Sequence, residues 1–224
     1  MRSTIRIVLA VMACFGIAAA AWGQRMGQAP TMYGEFKPVV GTGAQYEATM
    51  KGQKFLWTYA VVGKETVQGQ EGNWLEMRME GGPQGTVIMK HLIVMQDGKA
   101  EIKRMITQAG GQPPMEMPMG MMNMMKGKGK SSSEGMGEKV GTEPMIVPAG
   151  TFLCDHYHKS GAANVDFWIS SKIPPYGMVK MVSGEMNMVL VKVLSNETSQ
   201  IKGEPQKMPG MGGMMPKGEW SDEK

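Results

Sequence analysis

The chain has 224 residues, 42% hydrophobic and 20% charged, which is enough for one domain with a real core and too few for two of ordinary size. Its formal net charge of +4 is too small and too evenly spread to make a nucleic-acid footprint. The outlying counts are 27 Met and 31 Gly against 3 His and 5 Phe, so the methionines need a location before they need a meaning.

Residues 1–23 read as an export signal. Arg2 and Arg6 precede an apolar run from Ile7 to Ala21 that ends in Ala21-Trp22-Gly23, small residues at the positions a signal peptidase reads, with cleavage expected before Gln24. The run is shorter than the roughly 20 apolar residues of a spanning helix, so no transmembrane span is expected after cleavage. A lipidation box at Val11-Met12-Ala13-Cys14 is a lesser alternative, because the apolar run continues past Cys14. Without the signal, Lys+Arg falls from 24 to 22 against 20 Asp+Glu, a net charge of +2. Cys154 is then the one remaining thiol, in a compartment where disulfides persist.

Residues 24–43 are Gly- and Pro-rich without a period and read as a flexible leader. From Ala44 the pattern is that of a sheet. Gln45 to Met50, Lys54 to Val62, Asn73 to Glu80, Thr86 to Met95 and Ala100 to Gln108 are each of strand length. Lys51-Gly52, Gly63-Lys64, Gly81-Gly82-Pro83 and Asp97-Gly98 are the expected turns between them. In Trp74 to Glu80, Leu75, Met77 and Met79 share one face while Glu76, Arg78 and Glu80 share the other, the alternation of a sheet wet on one side. His91 lies in an apolar strand and reads as a histidine satisfied by a neighbour.

Residues 112–137 break the pattern. Met115, Met117, Met119, Met121, Met122, Met124, Met125 and Met136 stand among Gly and Pro with no surviving period, so the stretch reads as a disordered insertion between hairpins. Thioether sulfur is soft and uncharged, and clusters of it match Cu(I) or Ag(I) while mismatching Zn, Mg or Ca. The tail, 204–224, repeats the chemistry with Met208, Met211, Met214 and Met215. Low-complexity drift, sacrificial oxidation and an adaptable surface for apolar partners are the competing explanations.

Residues 142–194 return to short apolar runs separated by tight turns. Here Val147-Pro148-Ala149-Gly150-Thr151-Phe152, then Cys154 and Tyr157, Trp168-Ile169-Ser170, Pro174 and Gly177-Met178-Val179-Lys180 resemble an uncharacterised exported bacterial domain family related to the lipoprotein-carrier (LolA/LolB-like) half-barrels. The resemblance implies a mainly β fold, one curved antiparallel sheet of nine to eleven strands over residues 44–203, and an apolar ligand such as a lipid or a lipoprotein acyl chain. Trp57, Trp74 and Trp168 are candidates to line that site, or to fill it. On the strand around Cys154, residues Cys154, His156 and His158 alternate onto one face and form a second candidate metal set, against the simpler reading of Cys154 as a small buried hydrophobe.

No G-x-S-x-G, H-E-x-x-H, phosphate loop or Cys-x-x-Cys occurs. The sequence thus supports two non-catalytic readings of a periplasmic or cell-envelope protein: an apolar-ligand binder and a soft-metal buffer or chaperone.

Overall fold

The structure is a computed structural model that describes residues 34–83, 85–118, 120, 136–161, 164–184 and 186–207. Every regular element among them is a strand: β1 (Gly43–Met50), β2 (Gln53–Val67), β3 (Gln70–Gly82), β4 (Gly85–Gln96), β5 (Lys99–Ala109), β6 (Met115–Glu116), β7 (Glu138–Val147), β8 (Gly150–Lys159), β9 (Val165–Ile169), β10 (Met178–Ser183), β11 (Met186–Leu194) and β12 (Gln206–Lys207). They form one curved, unclosed sheet in the order β12-β6-β5-β4-β3-β2-β1-β11-β10-β9-β8-β7. All pairings are antiparallel except β12 with β6. The expected fold class is therefore the observed one.

Turn chemistry explains the hairpins. Lys51-Gly52, Gln68-Gly69 and Asp97-Gly98 each place two consecutive residues at positive φ, at 50° and 79°, 51° and 77°, and 49° and 73°. That is the primed turn whose twist matches the flanking strands. Gln68-Gly69 was not among the expected turns, and Gly63-Lys64, which was, is no turn. β2 runs straight through it for 15 residues, with a register shift between Val61 and Gly63 that leaves Val62 as the extra residue of a bulge next to the glycine.

A single sheet without helices can bury a face only by curving on itself. Register places Tyr46, Trp57, Tyr59, Met77, Phe167, Met181, Met188 and Leu190 on one shared face, and all of them are buried. Tyr46 Oη donates to the Met178 carbonyl at 2.9 Å within this core. The opposite face of β3–β5 is covered by the segment after β11. There Ile201 packs on Trp74, Leu92 and Ile106. Glu76, fully buried, accepts from Ser199 Oγ at 2.6 Å and from the Gln200 amide at 3.0 Å. Lys202 N donates to Gln108 Oε1 at 3.0 Å, and the segment ends as β12 beside β6.

Two stretches read as loose are tied down where they are described. Gly41 N donates to the Val61 carbonyl at 2.7 Å and Lys37 N to the Pro175 carbonyl at 2.8 Å, which fastens residues 37–41 of the expected leader. Met115 and Glu116, expected in an irregular insertion, pair with Thr107 and Ile106.

Candidate functional site

The turn from Ser170 to Gly177 floors a cleft of about 890 Å³ between the β7–β8 end of the sheet and the end of β11. Its shape follows from backbone hydrogen bonds: Ser170 N to the Gly177 carbonyl at 2.7 Å, and Gly177 N to the Ile173 carbonyl at 2.7 Å. Gly177 sits at φ 79°, and a Cβ there would lie 2.9 Å from Ile169 Cγ2 and 3.0 Å from the Ser170 carbonyl oxygen, so the closure requires glycine.

The walls are unusual for what they leave in water. Leu153 is 67% exposed, Val39 58%, Val193 41% and Met136 38%, and all four line the cleft. Ile146, 81% exposed, and Val140, 59%, extend this apolar surface along the edge strand β7. Singly exposed aliphatic residues are ordinary, but a cluster at the mouth of a concavity marks an interaction site. Charged residues line the cleft as well, Glu35, Lys37, Asp155 and Lys172 among them, and most are paired: Lys139 Nζ lies 2.7 Å from Asp155 Oδ1 and Lys37 Nζ 3.0 Å from Glu35 Oε2. The Lys139 ammonium, followed by the Thr142 hydroxyl, holds the Asp155 carboxyl below its ordinary range.

The three tryptophans do not converge and none lines this cleft. Trp57 is buried on the inner face, 6.3 Å from the Tyr59 ring. Trp74 lies on the opposite face, donating to Glu65 Oε2 at 3.1 Å beneath Lys90 and Arg104, whose charged groups stand 4.6 and 5.3 Å from its ring. Trp168 shares that outer face at the far end of the sheet, donating to Glu143 Oε1 at 2.6 Å and stacked 4.4 Å from His156. The cleft-lining residues Val39, Leu153 and Val193 were missed, because they come from the expected leader and from two strands distant in sequence. The one local signal was the oddness of Leu153, an apolar residue on the face opposite Phe152 and Cys154.

The candidate metal set on β8 is divided. His156 Nε2 and His158 Nδ1 each lie 3.0 Å from the same oxygen of Asp166, Oδ1, and these contacts, His158 foremost, hold the Asp166 carboxyl below its usual range. Cys154 is instead buried, with Sγ 3.5 Å from the Phe152 carbonyl. Burial, with Asp155 and Glu143 adding, pushes its thiol up to about 11, the opposite of what a thiolate ligand needs. Among the described residues no three His, Cys, Asp or Glu side chains are placed to hold one metal ion. Met115 and Met117 stand on β6 and just after it, Met117 N donating to the Met105 carbonyl at 2.9 Å. Met119, Met121, Met122, Met124 and Met125 lie outside the described residues.

Fold and site together define an open, single-sheet β protein with an apolar cleft at one end. No family model matches the chain, and no curated protein matches it. Among solved structures it is similar to a presumed lipoprotein from Parabacteroides distasonis, at 13% identity and a TM-score of 0.35, over 73% of this chain and 99% of that one. It is also similar to a presumed exported protein with a YmcC-like fold from Bacteroides fragilis, at 12% identity and a TM-score of 0.38, over the same shares of 73% and 99%. No helix among the described residues is long and apolar enough to cross a membrane.

Proposed function

We propose that this chain is a non-catalytic exported protein of the cell envelope that holds an apolar ligand, a lipid or a lipoprotein acyl chain, in the cleft between β8 and β11. The observation that carries the reading is the exposed aliphatic cluster of Val39, Leu153 and Val193 at the mouth of a cleft of about 890 Å³, within the size range of small-molecule sites. The curved single sheet agrees with the lipoprotein-carrier resemblance, and the export signal read at residues 1–23 agrees with an envelope location. The test is lipid extraction and mass spectrometry of protein purified from the envelope, with displacement of a fluorescent fatty acid measured on the same material. Leu153→Asp is expected to weaken probe binding at least tenfold without loss of fold. Equal binding by the two proteins, with no co-purifying lipid, would sink the proposal.

A second reading, Cu(I) or Ag(I) binding by the Met-rich segments, is favoured by one topological observation. β6 and β12 pair in parallel, with Gln206 opposite Met115 and Lys207 opposite Glu116. The chain therefore enters both methionine-rich sequences from adjacent points and in the same direction. Replacing Met119, Met121, Met122, Met124 and Met125 by leucine lowers the number of Cu(I) equivalents bound if this reading holds, and leaves it unchanged if it does not.

A further inference from the structure

A set of soft donors is also built into the strands themselves. Register puts Leu75, His91 and Met105 in one cross-strand row of β3, β4 and β5, and Met77, Met89 and Thr107 in the next row. All six share the inner face, because Trp74, Lys90 and Arg104 occupy the other, as their stacked contacts require. Directly opposed residues have Cβ atoms about 5 Å apart, and diagonal ones lie at roughly 7 Å. Met105 is thus the lateral neighbour of His91, Met77 its diagonal neighbour, and Met89 the next residue on the same face of the same strand. Each can swing its sulfur toward the imidazole on three rotatable bonds.

The second observation is an orphan. His91 is 9% exposed and its Nε2, fully shielded from solvent, has no hydrogen-bond partner. Leaving a buried ring nitrogen unpaired is costly; beside Leu75 and Thr107, the side chains set around it by register are the thioethers of Met77, Met89 and Met105, which are poor hydrogen-bond partners and good soft-metal ligands. A neutral imidazole nitrogen with two or three thioether sulfurs suits a monovalent soft ion. The set carries no anion, so it suits a charge of one better than a divalent ion. Burial pushes the His91 imidazole down to about 4, so the ring stays neutral, with one nitrogen free to act as a donor, in mildly acidic surroundings.

We propose that His91, Met105 and Met89, with Met77 in reach, form a binding site for one Cu(I) or Ag(I) ion on the inner face of β3–β5. The site goes beyond the second reading above, since none of its ligands lies in the Met-rich segments. The imidazole supplies the one strong donor, and the thioethers supply selectivity against hard cations. The flanking strands fix the donor backbones, so binding moves only side chains.

The experiment is an anaerobic Cu(I) titration of the full chain against bicinchoninate, repeated with His91→Leu, with the pair Met89→Leu and Met105→Leu, and with the five-leucine variant of the Met-rich segment. The leucine replacements conserve volume, and His91→Leu removes an unpaired polar atom, so all are expected to fold; denaturant midpoints measured alongside confirm it. The expected result is one equivalent of Cu(I) that persists in the five-leucine variant and is weakened at least tenfold by either strand variant. Methionine methyl resonances on β3–β5 should shift with Ag(I) in the parent and not in His91→Leu. Cu(I) binding lost with the segment methionines and untouched by His91→Leu would overturn the strand site while upholding the second reading. No competition by any of the proteins would overturn both, and would leave His91 Nε2 to a buried water.

Discussion

His91 also sets an expectation for stability against pH. Its imidazole is held near 4 by burial, against 6.5 in the unfolded chain. Between those values the unfolded state binds a proton that the folded state refuses, so stability is full above pH 6.5 and falls as the pH drops toward 4. At about 1.4 kcal/mol for each tenfold change, the gap corresponds to about 3 kcal/mol lost between neutral pH and pH 4. That is a large part of the roughly 5–15 kcal/mol that holds a domain together. Urea midpoints followed by far-UV circular dichroism at pH 7, 6, 5 and 4, in chelator-containing buffer, measure the loss. The partner experiment uses His91→Leu, which keeps the strand apolar and removes the titration. Asp166 and Glu116, whose carboxyls are held low by hydrogen bonds from His158 and Arg104, add their own losses at lower pH in both proteins and cancel in the difference. The wild-type chain should lose about 3 kcal/mol more than the variant between pH 7 and 4. Parallel curves would refute the reasoning, because they would mean that water reaches the imidazole in the folded state.

Three further outcomes follow from single contacts. Glu76→Ala removes the acceptor for Ser199 and Gln200; it should cost about 3–5 kcal/mol and open the chain to trypsin at Lys202, visible as an early cut in limited proteolysis. Gly177→Ala meets Ile169 and Ser170 at a positive φ, and should cost more than about 1 kcal/mol and reduce fatty-acid probe binding, because it reshapes the floor of the cleft. Tyr46→Phe leaves the Met178 carbonyl without its 2.9 Å donor, an expected loss of about 1 kcal/mol in the denaturation midpoint with probe binding unchanged.

The local half of this fold was legible and the non-local half was not. Two-residue turn signals at Lys51-Gly52 and Asp97-Gly98 act within a few residues, and the strands they join lie where alternation put them. Gly63 misled because a glycine beside a lysine reads alike in a turn and next to a bulge; what decides is the partner strand, invisible until Gly63 is paired with Trp74. That the tryptophans lie apart was hidden for a related reason. Trp57 and Trp74 are large and apolar, but register across the β2–β3 hairpin, which places Trp57 opposite Met79, sends them to opposite faces. His156 and His158 stood out as two histidines on one face, yet that they share one carboxylate oxygen of Asp166 needed the pairing of β8 with β9. The cleft was the least legible feature, since Val39, Leu153 and Val193 come together only when the sheet curls.

How a twelve-stranded open sheet avoids sticking to copies of itself bears on where its apolar surface is allowed. One edge ends in β6 and β12, two residues each, too short to template another chain; β6 covers only Ile106 and Thr107 of β5, and the rest of β5 carries Lys99, Glu101, Lys103 and Arg104. The other edge, β7, is 10 residues long and is blunted differently: Pro144 offers no amide hydrogen, and Glu138, Lys139 and Glu143 place charge along it. Against that protection, Val140 and Ile146 stand exposed on the same strand. An edge defended along its backbone but left apolar in its side chains suits a ligand that needs no hydrogen bonds, which is what an acyl chain is. A peptide strand adding to β7 would meet Pro144 and the charges first. The strand methionines and His91 lie on β3–β5, separated from β7 by β2, β1 and the four strands β11 to β8. Changes at one end should therefore act additively with changes at the other, so the two proposals can be tested in one chain without interfering.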